Sequence, residues 1–119
     1  MEKECMAFQF RDAKEAKQHM NYDIVKDYGD YAYGHPLYCW DDGKRYLARC
    51  RNCGGYVLVQ KSEFHGIQDD YYTVYFPVSG AEEAEEWNRL YDGGAIERFF
   101  TKRYLMMTNL YLHWSKEGD

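Results

Sequence analysis

Two cysteines and two glycines stand together in Cys50-Arg51-Asn52-Cys53-Gly54-Gly55, between two runs that favour β-structure, residues 46–49 and 56–59. Cysteines separated by two residues can direct both thiolates at one metal ion. The glycines that follow relieve crowding of the backbone and can adopt a positive φ angle. Strand, knuckle and strand in this order make half of a zinc ribbon. The stretch therefore predicts a structural zinc ion, Zn2+, that stabilises the fold.

A tetrahedral zinc site needs two further ligands. Cys39 is the expected third ligand, because it lies eleven residues before Cys50 and a turn over residues 41–44 can return the chain to the knuckle. His35 is the expected fourth ligand, since a hairpin that turns at residues 41–44 places His35 opposite Cys50. The same register moves Cys39 away from Cys50, so an irregular strand is needed for both to bind.

Other cysteine and histidine residues keep the ligand set open. Cys5 is the alternative fourth ligand, because it would complete a site that uses every thiol in the chain. His65 comes after it, since a regular strand from the knuckle carries that residue about 40 Å away. Cys5 and Cys39 could instead be small buried apolar residues. His19 and His113 lie in segments with helical spacing and are expected at the surface or the edge of the core.

The sequence predicts that the protein is not an enzyme. A thiol oxidoreductase places its C-x-x-C motif at the start of a helix, whereas this one is followed by two glycines and a β-favouring run. A catalytic zinc ion needs an open ligand position and a nearby acid or base. The sequence pattern of zinc deaminases is absent, and no phosphate-binding loop or nucleophile–base pair is recognisable.

Hydrophobic periodicity and turn residues predict an α+β fold within a single zinc-stabilised domain, residues 1–119. In chain order the sequence predicts a strand at residues 6–10, a helix from the cap Asp12 to about Met20, an irregular segment at 21–34, strands at 35–40, 45–49, 56–64 and 71–78, a helix that begins at Ser79 and ends at Gly93-Gly94, and a helical segment from Ile96 to Trp114. The expected architecture is a small antiparallel sheet with a zinc knuckle, flanked by two or three helices.

Charge is unevenly distributed along a chain whose net charge is −5. The segment around the knuckle is basic, through Lys44, Arg45, Arg49, Arg51 and Lys61. The helix after Ser79 is acidic, and the residues expected to contact a partner are Glu82, Glu83, Glu85 and Glu86, together with Asp69 and Asp70. We expect this acidic surface to bind a basic protein surface. Alternatively, it is a solvated helix face, and the basic knuckle binds nucleic acid.

Residues 38–93 resemble small zinc-ribbon-like proteins of Gram-positive phages and mobile elements. The resemblance is carried by Tyr38-Cys39-Trp40, by Leu47-Ala48-Arg49 leading into the knuckle, by Ser62-Glu63-Phe64-His65, and by Asp70-Tyr71-Tyr72-Thr73 with Tyr75-Phe76-Pro77-Val78. Some phage proteins of this size and charge are anti-CRISPR inhibitors of the type II CRISPR effector nuclease.

The resemblance implies a non-enzymatic inhibitor that binds a basic surface of a host nuclease. The alternative function is a nucleic-acid-binding zinc-ribbon accessory protein that acts through the basic knuckle. Because the sequence has neither a signal-peptide pattern nor an apolar run of about 18 residues, we expect it in the cytoplasm of the bacterial host cell.

Overall fold

The computed structural model describes residues 3–35, 39–65, 70–91, 96, 100–108 and 111–115 of the 119-residue chain. Within these ranges the side chains of residues 32–35, 39–41 and 70 are not described.

Six strands form one antiparallel sheet in which each strand pairs with its neighbours in sequence. The strands are β1 (Tyr22–His35), β2 (Cys39–Cys50), β3 (Tyr56–His65), β4 (Asp70–Val78), β5 (Leu105–Thr108) and β6 (Leu112–Trp114). A 3-10 turn (Met6–Gln9) and helix α1 (Ala13–His19) precede the sheet, and helix α2 (Ala81–Leu90) follows β4. The α+β class and an antiparallel sheet flanked by two helices are therefore confirmed.

Apolar side chains are buried on both faces of the sheet. The face that carries the 3-10 turn and α1, called the α1 face, buries Ala48, Val57, Val59, Tyr75, Leu105 and Trp114 against Phe8, Ala16 and Met20. The opposite face, called the α2 face, buries Leu47, Leu58, Val74, Phe76 and Val78 against Ala84, Ile96 and Phe100. Because both faces are covered, four consecutive residues of β3, from Val57 to Gln60, are buried instead of alternating with exposed ones.

The first two predicted helices are present, and only α2 begins at a different residue from the predicted one. The Asp12 side chain accepts a hydrogen bond from the Lys14 N–H at 3.0 Å and caps α1, as its sequence pattern predicts. The N-cap of α2 is Gly80 and not Ser79. The Glu83 carboxylate instead accepts a hydrogen bond from the Ser79 N–H at 2.6 Å.

Two predictions about the first half of the sheet are wrong. Residues 22–34 are not irregular but belong to β1, and residues 41–44 are not a turn but lie inside β2. Gly43, taken as a turn residue, is a strand residue at a close approach of two backbones. A Cβ atom there would lie 1.9 Å from the Lys61 carbonyl oxygen on β3. The positive φ of Gly29, +90°, occurs where the register of β1 against β2 shifts.

Two further segments have a different secondary structure from the expected one. Residues 6–9 form a 3-10 turn instead of a strand, and residues 105–108 and 112–114 form β5 and β6 instead of a helix. The backbone of β4 from Tyr72 to Tyr75 pairs with β5. This strand pairing outweighs the helical spacing of the apolar residues. It places Leu105 on the α1 face and Met106 on the α2 face. None of the helices in the described ranges has the length and hydropathy needed to cross a membrane.

Candidate metal centre

Four metal-binding side chains meet at the end of the sheet where β2 turns into β3. They are Cys5, His19, Cys50 and Cys53, and one ligand atom from each lies within 4.8 Å of those of the others. These residues come from three separate parts of the chain: the segment before the 3-10 turn, the last residue of α1, and the connection between β2 and β3.

The knuckle between β2 and β3 has the geometry that its glycines predict. The Gly54 N–H donates to the Cys50 carbonyl at 2.8 Å, and the Cys50 N–H donates to the Gly55 carbonyl at 2.8 Å. Gly54 has a φ of +75°, in the left-handed region that favours glycine. The tight turn therefore brings the two thiols of the C-x-x-C motif to the same side.

Cys5 reaches the knuckle because the N-terminal segment pairs with the start of β3. The Cys5 N–H donates to the Tyr56 carbonyl at 3.2 Å, and the Tyr56 N–H donates to the Lys3 carbonyl at 2.8 Å. Gly55 permits this contact, since a Cβ atom there would lie only 2.4 Å from the Cα atom of Cys5. The second glycine of the motif thus makes room for the third thiol.

His19 is held at the site from both sides. Its carbonyl accepts a hydrogen bond from the Asn52 side chain in the knuckle, and its ring packs against the Phe10 ring with centroids 5.4 Å apart. Its ring Nε2 is buried and has no hydrogen-bond partner in the described part of the chain. Buried polar atoms are nearly always bonded. A metal ion would give this nitrogen the partner that it lacks.

The spacing of the donor atoms fits a tetrahedral zinc ion. The Sγ atoms of Cys53 and Cys5 are 3.7 Å apart. Zinc–sulfur bonds of about 2.3 Å at tetrahedral angles place two sulfur atoms about 3.8 Å apart. Three thiolates and one imidazole fill all four positions of a tetrahedron, and this saturated donor set is typical of structural zinc sites.

The protein surrounds the sulfur atoms with backbone N–H groups. The Met6 N–H donates to the Cys53 Sγ at 3.4 Å. Burial alone would raise the pKa of the Cys50 thiol, but backbone N–H groups, with that of Asn21 foremost, lower it overall. Burial and the two neighbouring sulfur atoms raise the pKa of the Cys5 thiol. A divalent cation would offset the repulsion that three thiolates at this distance would otherwise exert on one another.

The structure assembles a different ligand set from the expected one around Cys50 and Cys53. Cys39 and Cys50 are the first and last residues of β2, whose eleven steps span about 36 Å. His35 pairs with Cys39 and not with Cys50, which pairs with Tyr22. The side chains of Cys39 and His35 lie outside the description, but their backbone is at the far end of the sheet. We therefore replace them as candidate ligands.

Cys5, the alternative ligand, lies in the cluster, whereas His65 does not. His65 lies at the far end of β3, where its Nε2 is 3.1 Å from the Asp42 carboxylate and 3.7 Å from the Glu63 carboxylate. The sequence analysis missed His19. The one available signal was its position at the end of a predicted helix that precedes β1, but nothing in the sequence specifies that this helix end contacts the knuckle.

Among the described residues, Glu83 and Glu85 of α2 form ion pairs. The Glu83 carboxylate lies 2.8 Å from the Lys102 ammonium, and Glu85 pairs with Lys26 of β1. Burial alone would raise the pKa of Glu83, but the hydrogen bonds from Lys102 and the Ser79 N–H hold it below its usual range. The ion pair of Glu83 thus links α2 to Lys102, in the segment that precedes β5.

Of the other predicted partner-binding residues, the structure describes the side chains of Glu82 and Glu86 but not those of Asp69 and Asp70. Glu82 and Glu86 are exposed on α2. Asp69 lies outside the described residues, and Asp70 is the first residue of β4, with its side chain not described. A continuous acidic surface over all six residues therefore remains a prediction.

Four of the five basic residues near the knuckle, Lys44, Arg49, Arg51 and Lys61, are exposed, and Arg45 is not. Arg45 is buried, 2% exposed, and donates two hydrogen bonds to the Gln60 side chain. Arg51 forms a two-pronged ion pair with Asp23 of β1. Arg49 is exposed, and its Nε donates to a carbonyl of the knuckle at 3.1 Å.

Fold and cluster together define an α+β protein with a candidate Cys3His metal site. No protein-family model, no curated protein and no solved structure matches the chain.

Proposed function

We propose that the chain is a zinc-stabilised, non-enzymatic binding protein, and that its partner is a protein with a basic surface. The observation that carries the zinc assignment is the cluster of Cys5, His19, Cys50 and Cys53, whose buried imidazole nitrogen lacks a hydrogen-bond partner in the described part of the chain. A saturated donor set favours a structural over a catalytic role for the ion. A basic protein partner is consistent with the resemblance of the chain to phage proteins, some of which are anti-CRISPR inhibitors. If the chain is such an inhibitor, its partner is a type II CRISPR effector nuclease.

The charge of the protein supports a basic partner. The net charge is −5, and Glu82 and Glu86 extend from α2 into solvent on the side of the sheet opposite to the metal site. The nucleic-acid alternative is less favoured, because Arg45 is buried and Arg51 is paired with Asp23. Rim charges of this kind chiefly raise the association rate and the specificity of a complex.

Metal analysis tests the zinc assignment directly. Protein purified without added metal should contain about one zinc ion per chain. Cobalt substituted for zinc should give the intense thiolate-to-metal absorption of a tetrahedral site with three sulfur ligands. Folded protein that contains no metal and binds none on titration would contradict the assignment.

Binding and cleavage assays with a type II effector nuclease test the partner. Glu86→Lys should slow association more at low salt than at high salt. The matched control is Glu15→Lys, which makes the same charge change at an exposed position of α1, on the opposite face of the sheet. Equal effects of the two variants would remove α2 from the interface. Tight binding to single-stranded oligonucleotides that is lost on Arg49→Ala would establish the nucleic-acid alternative.

A further inference from the structure

The three cysteine residues of the proposed metal site differ in their exposure to solvent. Cys5 and Cys50 are each 1% exposed, whereas Cys53 is partly exposed. The Cys53 and Cys5 sulfur atoms are in contact, 3.7 Å apart. The most accessible thiol therefore has a buried thiol directly behind it. An exposed reactive cysteine next to a second cysteine that can form a disulfide with it is the arrangement of thiol-based redox sensors.

We propose that the site is an oxidation switch, in which a peroxide joins Cys5 and Cys53 in a disulfide and thereby expels the metal ion. This inference rests on the proposed zinc site. Cys53 is oxidised first, because it is the thiol that a solvent-borne oxidant reaches. Cys5 then resolves the oxidised sulfur.

The chemistry balances with hydrogen peroxide as the oxidant. The Cys53 thiolate attacks one peroxide oxygen, the O–O bond breaks, hydroxide leaves, and Cys53 becomes a sulfenic acid. The Cys5 thiolate then attacks the Cys53 sulfur, the S–O bond breaks, and a second hydroxide leaves as the S–S bond forms. The two thiolates lose two electrons in total, and the peroxide is reduced to two hydroxide ions.

Cys50 is the less suitable resolving thiol. Its Sγ lies 3.7 Å from the His19 carbonyl, in the knuckle beneath α1. Its backbone N–H and carbonyl both take part in the hydrogen bonds that close the knuckle turn. A bond from Cys50 to Cys53 would have to form across that turn, whereas Cys5 belongs to a separate segment and already touches Cys53.

Loss of two thiolates leaves only Cys50 and His19 as ligands, which is too few for a structural zinc ion. The N-terminal segment would nevertheless stay in place, because Arg103 donates to the Phe8 and Phe10 carbonyls at 3.2 and 2.7 Å, and the new disulfide adds a further link. Oxidation should therefore loosen the end of α1, which loses its bond from His19 to the metal and keeps the Asn52 hydrogen bond and the Phe10 contact, and should leave the sheet intact.

The test uses zinc-loaded protein that carries Cys39→Ala, since Cys39 lies at the far end of β2 and its thiol would otherwise also react. Peroxide is added in the presence of a colorimetric zinc chelator, and disulfides are mapped by mass spectrometry of unreduced peptides. We expect about one zinc ion released per Cys5–Cys53 disulfide, with equal rate constants for the two events. A thiol reductant with added zinc should restore the starting state.

Hydrogen exchange supplies a second measurement. The Met20 N–H, which donates to the Ala16 carbonyl at the end of α1, should lose protection on oxidation, whereas the β3 amides should keep theirs. A Cys50–Cys53 disulfide, or zinc release with no disulfide, would overturn the switch while leaving the zinc site established. Absence of zinc before peroxide is added would refute the site itself, and the switch with it.

Discussion

His19→Ala is the sharpest test of the candidate metal centre, because His19 is the candidate ligand that only the folded structure identifies. Its imidazole has two separate roles: a candidate bond from a ring nitrogen to the metal, and a packing contact with Phe10. Removing the side chain should eliminate both. Removing the metal with a chelator should eliminate only the first, and a comparison of the two perturbations therefore separates the roles.

The size of the effect follows from the four-ligand site. A structural zinc ion contributes about 10–16 kcal/mol in zinc-finger peptides, so that one of four ligands accounts for about 2.5–4 kcal/mol. In a chain of this length each kcal/mol shifts the melting temperature by about 3–5 °C. His19→Ala should therefore lower the melting temperature of the zinc-loaded protein by roughly 10–20 °C. The lost ring contact with Phe10 accounts for only about 1 kcal/mol.

Thermal unfolding followed by circular dichroism, with and without a chelator, measures both quantities. In the chelator the wild-type protein and His19→Ala should melt within about 5 °C of each other, because only the packing difference is left. The control is His113→Ala, which changes a half-buried histidine of β6 outside the cluster and should leave the zinc content unchanged. If His19→Ala is equally destabilising with and without the chelator, then His19 is a packing residue and not a ligand.

Two further predictions concern the glycine turn and the acidic helix. In metal titrations, Gly55→Ala should reduce zinc affinity far more than Gly54→Ala does. A Cβ atom at residue 55 would lie 2.4 Å from the Cys5 backbone, whereas Gly54→Ala only strains a positive φ, at a cost of about 1 kcal/mol. Equal zinc affinities of the two variants would contradict the proposed path of the N-terminal segment. In urea unfolding, the free energy of unfolding should fall less between neutral and acid pH for Glu83→Gln than for the wild-type protein. The control, Glu82→Gln at the exposed neighbouring position, should not change this fall. The sign follows from the lowered pKa of Glu83: a carboxyl of this kind stabilises the fold above its unfolded pKa of about 4.3, and the contribution is lost as the pH falls through the folded value. If wild-type protein and Glu83→Gln lose stability equally at acid pH, then the ion pair of Glu83 with Lys102 does not stabilise the fold.

Sequence patterns predicted the elements whose interactions are local. Helix α1 begins at the cap Asp12, β3 and β4 appear where β-favouring residues cluster, and α2 begins with an acidic first turn. These features depend on neighbours within about four residues, which the sequence displays directly. Elements that depend on distant partners were not predictable in this way. Residues 105–108 belong to a segment whose apolar residues have helical spacing, but they pair with the edge of β4 that β3 leaves open and therefore form a strand.

The same division applies to the candidate site. By itself the sequence determined the knuckle, because Cys50, Cys53 and Gly54 form one tight turn that is closed by hydrogen bonds within residues 50–55. Only the tertiary structure decided the other two candidate ligands. Cys39 is near in sequence, but the long strand β2 holds it at the far end of the sheet. Cys5 and His19 are distant in sequence, yet hydrogen bonds to the start of β3 and to the knuckle bring them to the same point, because the sheet must bury its α1 face beneath the N-terminal segment.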